Sequence, residues 1–450
     1  MPNDPSSYNV SIQAQRPALL SGRTQVVTAL VRVQAPAAPD TQRPRLPLNL
    51  ALVIDRSGSM EGRPIEEAKR CVKEIIRSLA PDDIISVTSF DDEVQVNIPA
   101  TPIGSSRSEL IAAVSVISTG GSTALFAGWH AGATEAARNV DTAPLSRVLL
   151  LSDGGANHGE SRPHVIAKHC AELASAGVTT STYGLGSRFN EKLMVEMAAA
   201  GLGSSYYGKT AADLADPFRE EFDLLRALYG RKVTLQMVVP PGVKAKVRNG
   251  YAYDKATQSY RLPDLAYGGE AWALVDLEVP ARLVPALEGG ALRCLEVRVS
   301  CDDLQGVALP VETAKLELEA LPGVAYFALL PDPLTTSRMD EVRVAELQDR
   351  VREAAEGGDW GTVDAVIALA MTEAENNPWL MASISRLQLL ANSRDRHRTS
   401  KEAFYSSRKM RSRLSASQED IRGYSAAAEA TSPSYLRRKS EQGRSFGDEE

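Results

Sequence analysis

Two short runs decide what most of this chain can become. NLALVID (49–55) and VLLLSDG (148–154) are apolar almost throughout, and each arrives at an aspartate. A strand with one face in water alternates. A strand buried on both faces does not, and such strands belong to parallel sheets covered by helices. IISVTSF (84–90) and TTSTYGLG (179–186) read as two further strands. Helical stretches at 64–80, 107–118, 124–138, 162–176, 190–200 and 212–227 lie between and after them. This alternation predicts an α/β domain over 46–227, a doubly wound and mainly parallel sheet. Ligands of such sheets bind beyond the carboxyl ends of the strands, which is where Asp55 and Asp153 fall.

The flanks have another texture. YNVSIQA (8–14) and QVVTALVRVQA (25–35) alternate as strands do, and a proline-rich connector follows at 36–47. Residues 229–322 read as about five antiparallel strands. The strands of 1–35 have no partners in an α/β domain, so they are expected to pair with this later set. The α/β domain then becomes an insertion in a β-sandwich. From 335 to 398 three apolar stripes predict a small helical unit: Val344, Leu347, Val351 and Ala354; Val363, Ile367, Ala370 and Ala374; Leu380, Ile384, Leu387 and Ala391. Residues 399–450 are poor in apolar groups and rich in serine, so a disordered tail is expected there.

A net charge of −7 argues against non-specific nucleic-acid binding by the chain as a whole. The stretch Asn392–Arg413 is locally basic, with eight Lys or Arg against two acids. It reads either as a solvated helix extension or as an electrostatic handle. Cys71, Cys170, Cys294 and Cys301 form no CxxC pair; buried free thiols are expected, with a Cys294–Cys301 bridge left open. The opening MPNDPSSYNV has neither the basic nor the apolar region of a leader, and no apolar run approaches the roughly 18 residues of a membrane span. The expectation is a cytoplasmic protein.

Asp55 is followed by Ser57 and Ser59. Thr123 lies in the glycine-rich TGGSTALFAG, and Asp153 ends the VLLLSDG strand. Three distant segments thus bring oxygen-bearing side chains to one end of one sheet. Hard divalent cations prefer oxygen ligands, and Mg²⁺ keeps several waters in an octahedral shell. Two carboxylates and three hydroxyls suit that. With few carboxylates touching it, the ion keeps uncancelled charge and an open position for an acidic ligand.

Asp55-Arg56-Ser57-Gly58-Ser59, with Thr123 and Asp153, resembles the von Willebrand factor type A domain, bacterial type, with a metal-ion-dependent adhesion site. SLAPDDIISVTSFDDEV and GLGSRFNEKLMVEMAAAGLGSSYYG are similar to other parts of that family. The resemblance implies that Ser57, Ser59 and Thr123 contact Mg²⁺ (or Mn²⁺ or Ca²⁺) directly, and that Asp55 and Asp153 act mainly through water. Ser122 competes with Thr123 on the residues alone; the family pattern favours Thr123. It further implies that an Asp or Glu of a partner protein completes the shell, which makes the chain a metal-dependent adaptor or scaffold and not an enzyme.

Rival readings have less behind them. Ser57 lacks the G-x-S-x-G elbow of α/β hydrolases, although His158 follows the Asp153 loop closely. No P-loop is present, so ATP enters only through a partner. Regulatory service to a MoxR- or chelatase-like AAA+ ATPase is one such role. Ser417, Thr431, Ser432 and Ser440 could make the tail a phosphorylation-regulated signalling scaffold. A sandwich interrupted by this α/β domain also resembles YfbK-like bacterial proteins and, more loosely, inter-α-trypsin inhibitor heavy chains.

Overall fold

In a computed structural model of the 450-residue chain, residues 7–38, 46–104, 106–141, 145–153, 155–185, 190–208, 212–284, 290–417, 419 and 423–442 are described. The chain divides into two compact units: residues 43–226 with 441–450, and the flanking 1–42 together with 227–440.

The unit of 43–226 is built on a six-stranded sheet. Its strands run in the order Val94–Pro102, Ile84–Phe90, Leu48–Asp55, Leu145–Ser152, Val178–Leu185, Leu202–Gly208. Neighbours are parallel except for Val94–Pro102, which is antiparallel to Ile84–Phe90. Leu48–Asp55 lies inside the sheet, and all of its residues are buried, as its unbroken apolar run requires. One of the six strands went unread as a separate element. Val94–Pro102 is an exposed edge strand carrying Pro99 and Pro102, which edges tolerate. Leu202–Gly208 is a partly exposed run of small and aromatic residues, LGSSYYG.

Val178–Leu185 (VTTSTYGL) is fully buried although half polar. Its serine and threonine hydroxyls are all engaged. Arg147 Nε donates to Thr179 Oγ1 (2.9 Å) and Trp129 Nε1 to Thr180 Oγ1 (3.1 Å). Ser181 donates to Glu221 (2.7 Å) and Thr182 to Met194 O (2.9 Å). Buried polar groups persist in cores when satisfied in this way. Helix Leu125–Ala137 sits tightly on the sheet. A Cβ on Gly132 would come 2.2 Å from Val53 Cγ2, and one on Gly128 2.3 Å from the Phe90 ring.

The flanking unit carries two sheets. Asn9–Ala14 pairs with Gln25–Gln34, which pairs with Gly269–Val279; Lys244–Val247 completes that side. Chain from before and after the α/β unit therefore builds one antiparallel sheet. The second sheet centres on Leu228–Val238, Ala291–Asp302 and Glu312–Leu321. Tyr8 hydroxyl, beside the first sheet's leading strand, lies 2.8 Å from Val299 O and 2.6 Å from Pro310 O. All four cysteines are buried and free, so Cys294 and Cys301 are not bridged.

Helices Pro333–Gly357, Trp360–Glu373 and Pro378–Asn392 match the three predicted stripes, and their apolar residues form one core. Each starts at a capping side chain: Asp332, Asp359 and Asn377 accept from the amides of Thr335, Thr362 and Leu380. A fourth helix corrects the sequence reading. Arg396–Ser412, capped by Asp395 on the Arg398 amide (3.0 Å), runs into the stretch from 399 that was expected to be disordered, where the basic run was also read as a helix extension. Its inner face is made of Thr399, Ala403, Ser406, Ser407 and Met410, a periodicity too polar to register. The serines bond inward, Ser407 to Asp349 (2.7 Å) and Ser406 with Gln348 (3.2 Å).

The far end of the basic stretch is likewise drawn inward. Arg394 makes an exposed pair with Asp364 (2.9 Å), whereas Arg411 pairs part-buried with Asp349 (2.6 Å). Arg413 pairs with Glu419 (2.7 Å) and Glu341 (3.3 Å). Fully buried Arg338 joins that cluster through Glu341 (2.6 Å), Glu419 (3.2 Å) and Glu270 (3.4 Å). The two arginines hold the Glu419 carboxyl well below the ordinary carboxylate range, against the opposing effect of its burial. Beyond the helix, Ser415–Ala416 adds to Gly269–Val279, and Trp379 Nε1 donates to Lys439 O (3.0 Å). Within the stretch expected to be a disordered tail, the helix runs to Ser412, Ser415–Ala416 is a short strand, and Ala426–Glu429 and Ser434–Leu436 are short helical turns; residues 418, 420–422 and 443–450 lie outside the described residues.

Two substitutions test this packing by chemical denaturation. Gly132→Val overpacks the helix–sheet contact and lowers the stability of the α/β unit by about 2 kcal/mol. Glu419→Ala leaves Arg338 and Arg413 under-compensated in a buried site and destabilises the flanking unit by about 3 kcal/mol. A disordered tail would make the second change silent.

Candidate functional site

Asp55 is the last residue of its strand and is fully buried. Among the described residues its carboxylate is met by neutral donors: Ser57 N to Oδ1 (2.9 Å) and Ser152 Oγ to Oδ2 (2.6 Å). Burial pushes its pKa from the ordinary 3.8 up to about 6. The bonds from Ser152 and Ser57 oppose the shift, and the nearby Asp153 carboxylate adds to it. From there a line of oxygens runs to the surface. Ser57 Oγ is 3.2 Å from Ser59 Oγ, and Ser59 Oγ donates to Asp153 Oδ1 (2.8 Å). Asp153 is also pushed up by its burial, with the Ser59 bond opposing.

Four of the five expected residues are thus joined in one hydrogen-bonded line. The fifth, Thr123, is buried and enters through its backbone. Its amide donates to Asn157 Oδ1 (2.8 Å), and its carbonyl accepts from the amides of Asn157 and His158 (3.2 Å each). The loop before it is stitched to the Ser57 loop, Gly58 N to Gly121 O (2.9 Å) and Gly120 N to Arg56 O (2.8 Å). Side chains of the neighbouring Asp91 and Asp92 also crowd this loop. A Cβ on Gly120 would lie 1.9 Å from Asp91 Oδ2, and one on Gly121 1.9 Å from Asp92 Oδ1.

Three supporting residues were not singled out from the sequence. Ser152 holds Asp55. Asn157 holds Thr123. Asp91 accepts from Arg56 (2.9 Å), Glu93 N (2.8 Å) and Gly121 N (3.2 Å), while its own carbonyl takes the Ala124 amide (2.7 Å). The signal available for Asp91 was its place just past Ile84–Phe90, at the same sheet edge as Asp55. Ser57 hydroxyl has Ser59 as its neighbour and not a histidine, so the nucleophile–base pair of a hydrolase is not assembled. His158 is exposed and contributes its backbone amide; His130 and His169 pack on the Phe126 ring.

No group of three His, Cys, Asp or Glu gathers among the described residues. The donor set at this edge is instead dominated by hydroxyls, with two carboxylates and no soft ligand. That composition fits a hard divalent cation such as Mg²⁺ and not a zinc-type thiolate or imidazole site. A buried carboxylate offset only by neutral donors is also the electrostatic complement of a cation.

Residues 49–220 match the model of the von Willebrand factor type A domain, and this stretch is such a domain. An uncharacterised protein of Synechocystis sp. is 31% identical over 196 residues, 43% of this chain and 45% of that protein. YfbK of Escherichia coli is 28% identical over 264 residues, 55% of this chain and 45% of that protein. The chain thus spans less than half the length of these bacterial relatives. Among solved structures, a von Willebrand factor type A protein from Catenulispora acidiphila aligns over 82% of this chain and 86% of its own, with TM-score 0.65 and 19% identity. The ArnB paralog VWA2 from Sulfolobus acidocaldarius aligns over 90% and 98%, with TM-score 0.57 and 18% identity. Both share the fold. No helix among the described residues is long and apolar enough to cross a membrane.

The Asp55 environment predicts a pH dependence. A carboxyl whose folded pKa is raised adds stability that is fully present below its unfolded value, here near 3.8, and is lost as pH rises through about 6. In chelator, wild type should lose about 1 kcal/mol relative to Asp55→Asn between pH 5 and pH 7. Urea titrations of both proteins at the two pH values check this; parallel curves contradict it.

Proposed function

We propose that this chain is a metal-dependent protein-binding adaptor whose α/β unit captures an acidic side chain of a partner. The single observation that carries the reading is Asp55. It is a fully buried carboxylate that meets only neutral donors among the described residues, placed where Ser57, Ser59 and Asp153 line up toward the surface. Domains of this family mediate protein–protein contacts, some of them through a metal.

In this reading Ser57, Ser59 and Thr123 hold Mg²⁺ (or Mn²⁺ or Ca²⁺) directly, and Asp55 and Asp153 hold its waters. When bound, the ion supplies an exposed positive centre for an Asp or Glu carboxylate of the partner. The chain's own residues do the rest. Ser152 and the Ser57 amide orient Asp55, so the buried charge faces the hydroxyls. Asp91 and Arg56 fix the Gly120–Gly121 loop at the rim. With three neutral ligands in direct contact, little of the ion's charge is cancelled by the protein, which leaves it attractive to an outside acid. No bond-breaking step is assigned to the chain.

Calorimetric titration with Mg²⁺ and Mn²⁺ tests the metal step. Wild type is expected to bind one ion, and Asp55→Ala and Thr123→Ala to lose at least about tenfold in affinity. Crosslinking in cells, followed by purification in Mg²⁺ or EDTA, tests the partner step. Partners recovered equally by wild type and Asp55→Ala, with and without metal, overturn the proposal.

A further inference from the structure

Thr123 and Asp153 lie on different segments, one leading into helix Leu125–Ala137 and the other ending its strand. Yet both backbone polar groups of Thr123 are taken by residues just past Asp153. The Thr123 amide donates to Asn157 Oδ1 (2.8 Å), and its carbonyl accepts the amides of Asn157 and His158 (3.2 Å each). Asn157 is therefore bound to Thr123 twice, through its side chain and its backbone. Its own side chain is exposed, so little packing depends on it.

We infer that Asn157 is a positioning residue that clamps the Thr123 loop to the Asp153 loop, so that the threonine hydroxyl and the aspartate approach a bound cation as one rigid set. The inference rests on the cation reading given above. Two ligands tied in this way need not be ordered separately when the ion arrives, and less conformational entropy is lost on binding. Groups that orient ligands typically alter metal affinity by about 10- to 100-fold when removed.

The side chain's share of the clamp is one bond, Thr123 N to Asn157 Oδ1. Asn157→Ala removes it. Asn157→Asp keeps an acceptor at the same place. His158→Ala leaves the backbone amide on Thr123 untouched and serves as a control on the same loop.

The test combines Mn²⁺ titration by calorimetry with amide hydrogen exchange of the Gly120–Leu125 stretch in EDTA. Asn157→Ala is expected to bind Mn²⁺ about tenfold more weakly than wild type and to exchange faster at Thr123 without any metal present. Asn157→Asp and His158→Ala are expected to keep wild-type exchange and to bind Mn²⁺ at least as tightly as wild type. Thermal melts in EDTA should coincide for wild type and Asn157→Ala, which separates a clamp from a general loss of fold. If wild type binds Mn²⁺ and Asn157→Ala binds it equally well, the positioning role is overturned and the cation reading stands. If wild type binds no Mn²⁺, both are overturned. Unchanged exchange at Thr123 in Asn157→Ala overturns the clamp alone.

Discussion

Asp55 is a carboxylate with no exposed surface, at the end of a strand buried on both faces, and its partners among the described residues are a serine hydroxyl and a backbone amide. An uncompensated buried charge is among the more costly features a fold can carry. Its surroundings are arranged around that fact. Ser152, on the neighbouring strand, reaches across to it. Ser57 turns its amide back onto it, and in doing so starts the loop that presents Ser57 and Ser59. The elevated pKa of the group follows from the same burial.

The sheet explains how distant segments meet here. Leu48–Asp55 and Leu145–Ser152 are parallel neighbours in register, Ile54 opposite Leu151, so Asp55 and Asp153 emerge side by side. Gly128 and Gly132 let helix Leu125–Ala137 settle onto Phe90 and Val53, which brings the Thr123 loop down to the same edge. Gly120 and Gly121 then allow that loop to pass against Asp91 and Asp92. Strand register, helix approach and loop closure each depend on the one before.

The sequence displayed some of this and hid the rest for physical reasons. The continuous apolar runs revealed the parallel core, and Asp55, Ser57, Ser59 and Asp153 could be read as a group because each follows a strand. Asn157 and Asp91 were not legible as partners, since their bonds reach Thr123, Gly121 and Arg56 across gaps that only the folded backbone closes. The helix Arg396–Ser412 was misread as tail because its buried face is Thr399, Ser406 and Ser407. The two serine hydroxyls are satisfied by Gln348 and Asp349, which the local sequence does not contain. Arg338, Arg413 and Glu419 make the same point for charge: residues that look solvated one at a time form a buried cluster together.

The central claim is that the oxygens of Ser57, Ser59, Thr123, Asp55 and Asp153 hold a divalent cation. Crystals grown with Mn²⁺ and measured at the manganese absorption edge test it most directly. The account predicts one strong anomalous peak at direct coordination distance from the Ser57, Ser59 and Thr123 hydroxyls. Well-ordered density for these side chains with no peak among them, or with the peak elsewhere in the molecule, contradicts it.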